Sequence, residues 1–271
     1  MRVILFELWG YPIRSYGLVV ALAILIGIGV VLYFAKQEGK DRERVLNLCI
    51  WAVVGGLVGA RVWEVLFFNG SYYLQHPSDI VAVWKGGMSI QGGLVGGIAT
   101  AVWYIRKFGW KFWETADLFA PGMIVGQAVG RIACLLNGDA FGSPTGSTFG
   151  IVYPPGTVAY DRYGDQPLYP AEIWEGQWNL IVFALLLVIK NRKLPQGVLF
   201  LSYVSLYSVG RFSLEFLRGD TPHYLFGWTA AQWTSVGAGL VTTALLFLTK
   251  RGRTRNTASF ELDSNRQTDA K

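Results

Sequence analysis

A chain of 271 residues that is 52% hydrophobic and only 15% charged is too apolar for an ordinary soluble domain, whose charged share is about 25%. Its net charge of +6 could suit nucleic acid, but the basic residues gather at alternate ends of long apolar runs, which excludes nucleic acid as a partner and points to a membrane.

Taken in order, residues 1–15 carry Glu7, Pro12 and Arg14, and no small-residue cleavage site follows the first apolar run, so this end does not read as a signal peptide. About 20 apolar residues cross a bilayer core as a helix. The first such span is predicted over 16–35 and opens with Tyr16 in RSYGL; as an interfacial anchor Tyr16 would need no further role. The second, 46–68, holds Arg61 in GGLVGARVWEVLFF, with Gly55 and Gly59 spaced for close helix packing. The third, 88–105, starts at GGMSIQGG, where glycines bracket Met88-Ser89-Ile90-Gln91. A broken segment exposing backbone N–H groups to a ligand is expected there.

The fourth span, 113–136, ends in GRIACLLNG. A long connection of Gly, Pro, Tyr and Asp follows at 137–170, expected to be an ordered, loop-rich external cap. The fifth, sixth and seventh spans are predicted over 171–189, 197–217 and 228–249. The polar residues 254–271 read as a disordered cytoplasmic tail behind a single membrane-embedded domain, 1–253. No internal repeat stands out. Lys36, Lys40, Arg42 and Arg44 follow the first span, Arg106, Lys107 and Lys111 the third, Lys190 and Arg192 the fifth, and Lys250 and Arg251 the seventh. By the positive-inside rule the protein is an all-α integral membrane protein of seven transmembrane helices, N-terminus outside and C-terminus cytoplasmic.

Three arginines lie inside apolar runs: Arg61, Arg131 and Arg211. A guanidinium at bilayer depth costs roughly 2.5–3.5 kcal/mol on insertion scales, cannot shed its proton, and has the planar fork that suits phosphate or carboxylate. In a bilayer the commonest anion is a phospholipid headgroup. Arg131 and Cys134 share a helix face that ends near Asn137-Gly138, with Asp139 just beyond; the plainer reading is that Arg131 snorkels outward or pairs with Asp139. Tyr207, Arg211, Glu215 and Arg218 or Gly219 fall on one stripe, where Arg211 and Glu215 could form a merely structural ion pair. Glu172 and Glu175 open the fifth span, a place that favours carboxylates electrostatically and explains Glu172 best. Cys49 and Cys134 read as buried small residues, and with only His76 and His223 no metal cluster is expected.

The succession RSYGL, GGLVGAR, GGMSIQGGLVGG, GRIACLLNGDAFG, YPAEIWEG and GRFSLEFLR resembles the prolipoprotein diacylglyceryl transferases of bacteria over residues 11–249. Its most specific block is complete here as Arg131, Asn137, Gly138 and Gly142. The resemblance implies an inner-membrane (cytoplasmic-membrane) enzyme that moves the diacylglyceryl group of phosphatidylglycerol to the lipobox cysteine thiol of a prolipoprotein, with no cofactor and no metal. It implies Arg131 and Arg211 at the headgroup, Glu215, Tyr16 and Tyr207 lining the cavity, Gly142 at its mouth, and Arg61 and Asn137 in support, with Asp139 and Glu175 beside the lipid. Two positions depart from the family pattern. Its usual histidine before Gly-Gly-Leu is Gln91, and a second histidine block keeps only Pro170 and Glu175, with Tyr169 and Trp174 in the other places. Gln91 cannot act as a base. Either Glu215, Asp139 or Tyr16 takes the thiol proton, or Gln91 only orients the headgroup and the proton leaves to water or phosphate. A catalytically silent lipid-binding paralogue is the alternative; a transporter for an anionic solute would need paired broken helices, and none is evident.

Overall fold

The computed structural model describes residues 4–8, 11–192 and 194–248; the tail at 254–271 lies outside the described residues. The chain starts with an antiparallel ribbon, β1 (Ile4–Leu8) against β2 (Tyr11–Arg14), which the all-helical expectation omits. Runs of four and five residues are too short for an alternating pattern to declare itself. Helices follow: α1 (Ser15–Gln37), α2 (Arg42–Trp63), α3 (Gly70–Gln75), α4 (Ile90–Lys107), α5 (Phe112–Asn137), α6 (Val158–Tyr163), α7 (Ala171–Lys190), α8 (Val198–Glu215) and α9 (Ala230–Leu248).

Each predicted span coincides with one of the longer helices. Five of them, α1, α2 with its continuation to Phe68, α5, α7 and α9, are long and apolar enough to cross a membrane. The other two, α4 and α8, have 18 residues each. Gly92, Gly93, Gly96 and Gly97 dilute the first, and Arg211 and Glu215 the second. The chain is a helical membrane protein, and its burial pattern agrees. Leu25 is 63% exposed and Leu240 68%, whereas Glu172 and Glu215 are 0% and 1% exposed. Large apolar side chains outside and carboxylates inside is the reverse of a water-soluble surface.

The chain divides into two compact units, one of residues 28–118 and one of residues 1–27 with 119–271. In the first, glycines let α2 and α4 touch backbone to backbone. A Cβ built on Gly59 would stand 2.8 Å from the Cα of Gly96, and one on Gly96 2.8 Å from the Cα of Gly59. Close approach of this kind replaces the hydrophobic effect as the adhesive between helices in lipid. Gly96→Ala should therefore push the helices apart and cost about 1–3 kcal/mol. Gly29→Ala, whose Cβ would meet nothing within 4 Å, is the neutral control; thermal unfolding in detergent compares the two.

The break expected around Gln91 lies slightly earlier. Gly86 and Gly87 take φ of +93° and +74°, which only glycine adopts at low cost, and Ser89 then caps α4 by accepting from the Gly92 N–H at 3.4 Å. Gly92 and Gly93 are inside the helix, facing α2.

In the second unit α5, α7 and α8 share a core of Ala120, Ile124, Val182, Leu186, Leu199 and Tyr203. The connection 137–170 folds around its own small core of Phe141, Tyr153, Ala159 and Leu168, with α6 inside it and bridges from Pro144 and Ile151 to Leu168.

Candidate active site

The site of the second unit is built on one carboxylate. Glu175 sits in the second turn of α7, 4% exposed, and three guanidiniums converge on it. Arg131 of α5 pairs with one oxygen, while Arg211 of α8 pairs with the other and Arg218 stands 3.5 Å from it. The nitrogen of Arg211 that meets Glu175 also meets Glu215 at 2.8 Å, one turn along α8. Glu215 in turn accepts from the Thr229 hydroxyl at 2.8 Å. Arg218 grips Asp220 with two nitrogens, at 2.8 and 2.5 Å. Three arginines thus face three carboxylates, Glu175, Glu215 and Asp220. Charges this far from water survive only when paired and hydrogen-bonded in this way. A small pocket beside them is lined by Glu175, Asn179, Tyr207 and Arg211.

Around Arg131 the α5 terminus supplies the rest. Tyr16, in the first turn of α1, lies within electrostatic reach of Cys134, Asp139 and Arg131. Gly138 ends α5 at φ +72°, its N–H and that of Asp139 both donating to the Cys134 carbonyl, at 2.8 and 3.2 Å. The Asp139 carboxyl is held above the usual carboxylate range, chiefly by burial, although the Asn137 and Cys134 side chains hydrogen-bond to it. Gly142 is pressed between two strand-like segments: its N–H donates to Tyr169 at 3.1 Å, and it bridges Arg218. A Cβ there would strike Tyr169. Tyr169 and Trp174, in the places of the family's second block, pack ring to ring at 6.0 Å.

In the other unit Arg61, expected to support the lipid site, is engaged by backbone carbonyls. Its Nε donates to Ile80 O at 2.8 Å, one Nη to Gly86 O and Gly87 O at 2.6 Å each, and the second Nη to Asp79 O and, at 3.5 Å, Ala82 O. The guanidinium also lies 5.0 Å from the centre of the Tyr73 ring. All five donors go to the protein's own backbone, so Arg61 holds a loop and has none to spare for phosphate. Gln91, exposed in the first turn of α4, accepts at its Oε1 from the Ser89 hydroxyl at 2.8 Å.

The structure brings Arg131, Arg211, Glu215, Glu175 and Tyr207 together. Arg131 meets Glu175 rather than Asp139, and Glu172 lies in the first turn of α7 as its position suggested, buried and accepting a hydrogen bond from Tyr153. Sequence reasoning gave Arg218 no role. The signal was present in its place on the Arg211 stripe, two residues from Asp220.

Comparison with known proteins identifies what the chain is similar to. The family model described as prolipoprotein diacylglyceryl transferase matches residues 3–248. A phosphatidylglycerol–prolipoprotein diacylglyceryl transferase of a Nostoc species is 36% identical over 258 residues, 92% of this chain and 90% of its own. That of Geobacillus kaustophilus is 37% identical over 240 residues, 88% of each chain. That of Listeria monocytogenes is 34% identical over 217 residues, 79% of this chain and 78% of its own.

Proposed function

We infer the function from one premise: the chain belongs to the prolipoprotein diacylglyceryl transferase family. It transfers the diacylglyceryl group of phosphatidylglycerol to the lipobox cysteine thiol of a prolipoprotein and releases glycerol phosphate. The observation that carries this is the convergence of Arg131, Arg211 and Arg218 on Glu175 beside a pocket. The cysteine sulfur forms a bond to the glyceryl carbon as that carbon's bond to the phosphate oxygen breaks. The electron pair goes to the phosphate, which leaves with a second negative charge, and the thiol proton passes to water or to the departing phosphate.

Such a reaction needs donors aimed at the leaving oxygen in a site closed to water. Arg131 and Arg211 supply them, each with a five-donor fork of which the ion pairs engage one terminal nitrogen. Glu175 and Glu215 fix the forks. Tyr16 and Tyr207 line the headgroup cavity, Asn137 and Asp139 border it, and Gly142 shapes its mouth. Seven spans with the N-terminus outside place the 137–170 cap on the outer face of the bacterial cytoplasmic membrane; alternate-end basic residues support that orientation.

The test is purified protein in nanodiscs with phosphatidylglycerol and a lipobox peptide, followed by mass spectrometry for the thioether. Product formation is expected. Tight lipid binding without product would establish a silent paralogue instead. Gln91 orients the headgroup by hydrogen bonds, so Gln91→His should be tolerated and Gln91→Ala should cost the worth of one or two charge-assisted bonds, about 1.5–3 kcal/mol each. The pH–rate profile of the unmodified protein should show no inflection near 6.5 from this position, the ordinary histidine value being about that. Activity that appears only in Gln91→His would overturn the orienting role.

A further inference from the structure

The turns 34–45 and 104–115 are the same object. Glu38, Gly39 and Lys40 donate to Phe34, Lys36 and Ala35 at 3.0, 3.2 and 2.9 Å; Phe108, Gly109 and Trp110 donate to Tyr104, Arg106 and Ile105 at 3.1, 3.2 and 2.9 Å. Both glycines have φ of +66°. The offset is 70 residues throughout, and buried positions follow it: Phe34 and Tyr104, Ala35 and Ile105, Val45 and Thr115, Leu48 and Leu118. It also relates helix contacts within each unit. A Cβ on Gly27 would lie 2.8 Å from Gly122 O and 3.9 Å from the Cα of Gly126; one on Gly97 would lie 3.3 Å from Ala52 O and 3.8 Å from the Cα of Gly56. Gly126 faces Ala23 O at 3.2 Å just as Gly56 faces Gly93 O at 3.4 Å.

Chance does not keep one offset across two turns, two helix contacts and a row of buried side chains. The sequence hides it because lipid-facing positions are interchangeable apolar residues, which leaves few identities beyond Gly27 and Gly97, Gly39 and Gly109, Gly56 and Gly126. One polar identity stands among the apolar ones. Arg61 is the counterpart of Arg131. Arg61 holds the carbonyls of Gly86 and Gly87, just before α4; the positions 70 residues earlier are Tyr16 and Gly17, in the first turn of α1, of which Tyr16 is within electrostatic reach of Arg131.

We propose that the chain carries one helical hairpin twice, α1–α2 and α4–α5, and that Arg61 is the duplicate of the anion-gripping Arg131 turned inward as a positioning residue for Gln91. The contacts form one unbroken chain. Arg61 fixes the backbone from Asp79 to Gly87, the Ser89 N–H donates to Ala60 O at 3.1 Å, and the Ser89 hydroxyl holds the Gln91 amide. In one copy the fork is filled by backbone carbonyls; in the other it faces carboxylate and substrate. The role of Gln91 in this inference rests on the proposed transferase reaction.

The test compares Arg61→Lys, Gly87→Ala and Gln91→Ala in nanodiscs. The Gly87 change attacks the same clamp from its other side, since a Cβ there would stand 2.8 Å from an Arg61 Nη and the residue has φ +74°. Both clamp variants should speed hydrogen exchange of amides 86–92 at least about tenfold and lower kcat about 10- to 100-fold, while KM for phosphatidylglycerol stays within about threefold. The readout that a merely structural role would not move is the double variant: Arg61→Lys added to Gln91→Ala should cost nothing further. Multiplying losses, or a lost affinity for phosphatidylglycerol with unchanged exchange, would overturn the proposal. Should Arg61→Lys fail to fold, Gly87→Ala carries the same comparison. If the unmodified protein yields no thioether, the transferase reading fails, while the exchange result still decides whether the clamp exists.

Discussion

Glu175→Gln is expected to be the most damaging single substitution in the site, in stability and in turnover together. The change keeps the volume of the side chain and removes one charge. That charge answers Arg131, Arg211 and, at 3.5 Å, Arg218, so its loss leaves a buried excess of positive charge where no water can compensate. Breaking a buried pair on one side costs about 3–5 kcal/mol. Thermal unfolding in detergent should show a larger loss for Glu175→Gln than for Glu215→Gln, because Glu215 is answered by Arg211 at 2.8 Å with Arg218 farther off at 3.9 Å. Equal losses would mean that Glu175 is not the centre of the cluster.

Arg131→Lys and Arg211→Lys should do the opposite, sparing the fold while removing catalysis. Lysine keeps the charge and can still meet Glu175, but it is a point donor with three rotatable protons, without the planar fork that holds a carboxylate and a phosphate at once. Loss of one preorganised donor at a developing oxyanion costs about 100- to 1000-fold in kcat. Thioether formation measured beside the melting temperature separates the effects. Turnover within about threefold of the unmodified protein would assign that arginine to structure alone.

Much of the fold was legible because lipid makes composition decisive: each long apolar run coincides with one of the longer helices, five of them long and apolar enough to cross a membrane. The ribbon at residues 4–14 was not, since its few residues lie beside an apolar run that speaks louder. Arg131 and Arg211 stood out as charges in apolar surroundings, and Arg211 with Glu215 followed from helical spacing alone. What spacing could not supply was partnership between helices. Glu175 gathers side chains from positions 131, 211 and 218, separations over which sequence periodicity carries no information. Arg61 shows the limit most clearly. In sequence it looks like Arg131, a charge in an apolar helix after a small residue, and only the carbonyls of residues 79–87 reveal that its donors are spent.

The even match of Arg131, Arg211 and Arg218 with Glu175, Glu215 and Asp220 decides what the resting protein attracts. With no surplus charge, the cluster offers soluble anions such as inorganic phosphate no long-range pull, and a small anion that wanders in gains little against its lost hydration. In the proposed headgroup role of the forks, a phospholipid is delivered by its acyl chains, whose burial does not depend on charge, so an anion already anchored in the bilayer is the one presented to them. The same neutrality works in reverse after the reaction. The diester enters with one negative charge and the glycerol phosphate leaves with two and without its chains, so the product has lost its hold on the bilayer and is more at home in water. Selection of lipid over solute and clearance of the spent headgroup then follow from a single arrangement of side chains.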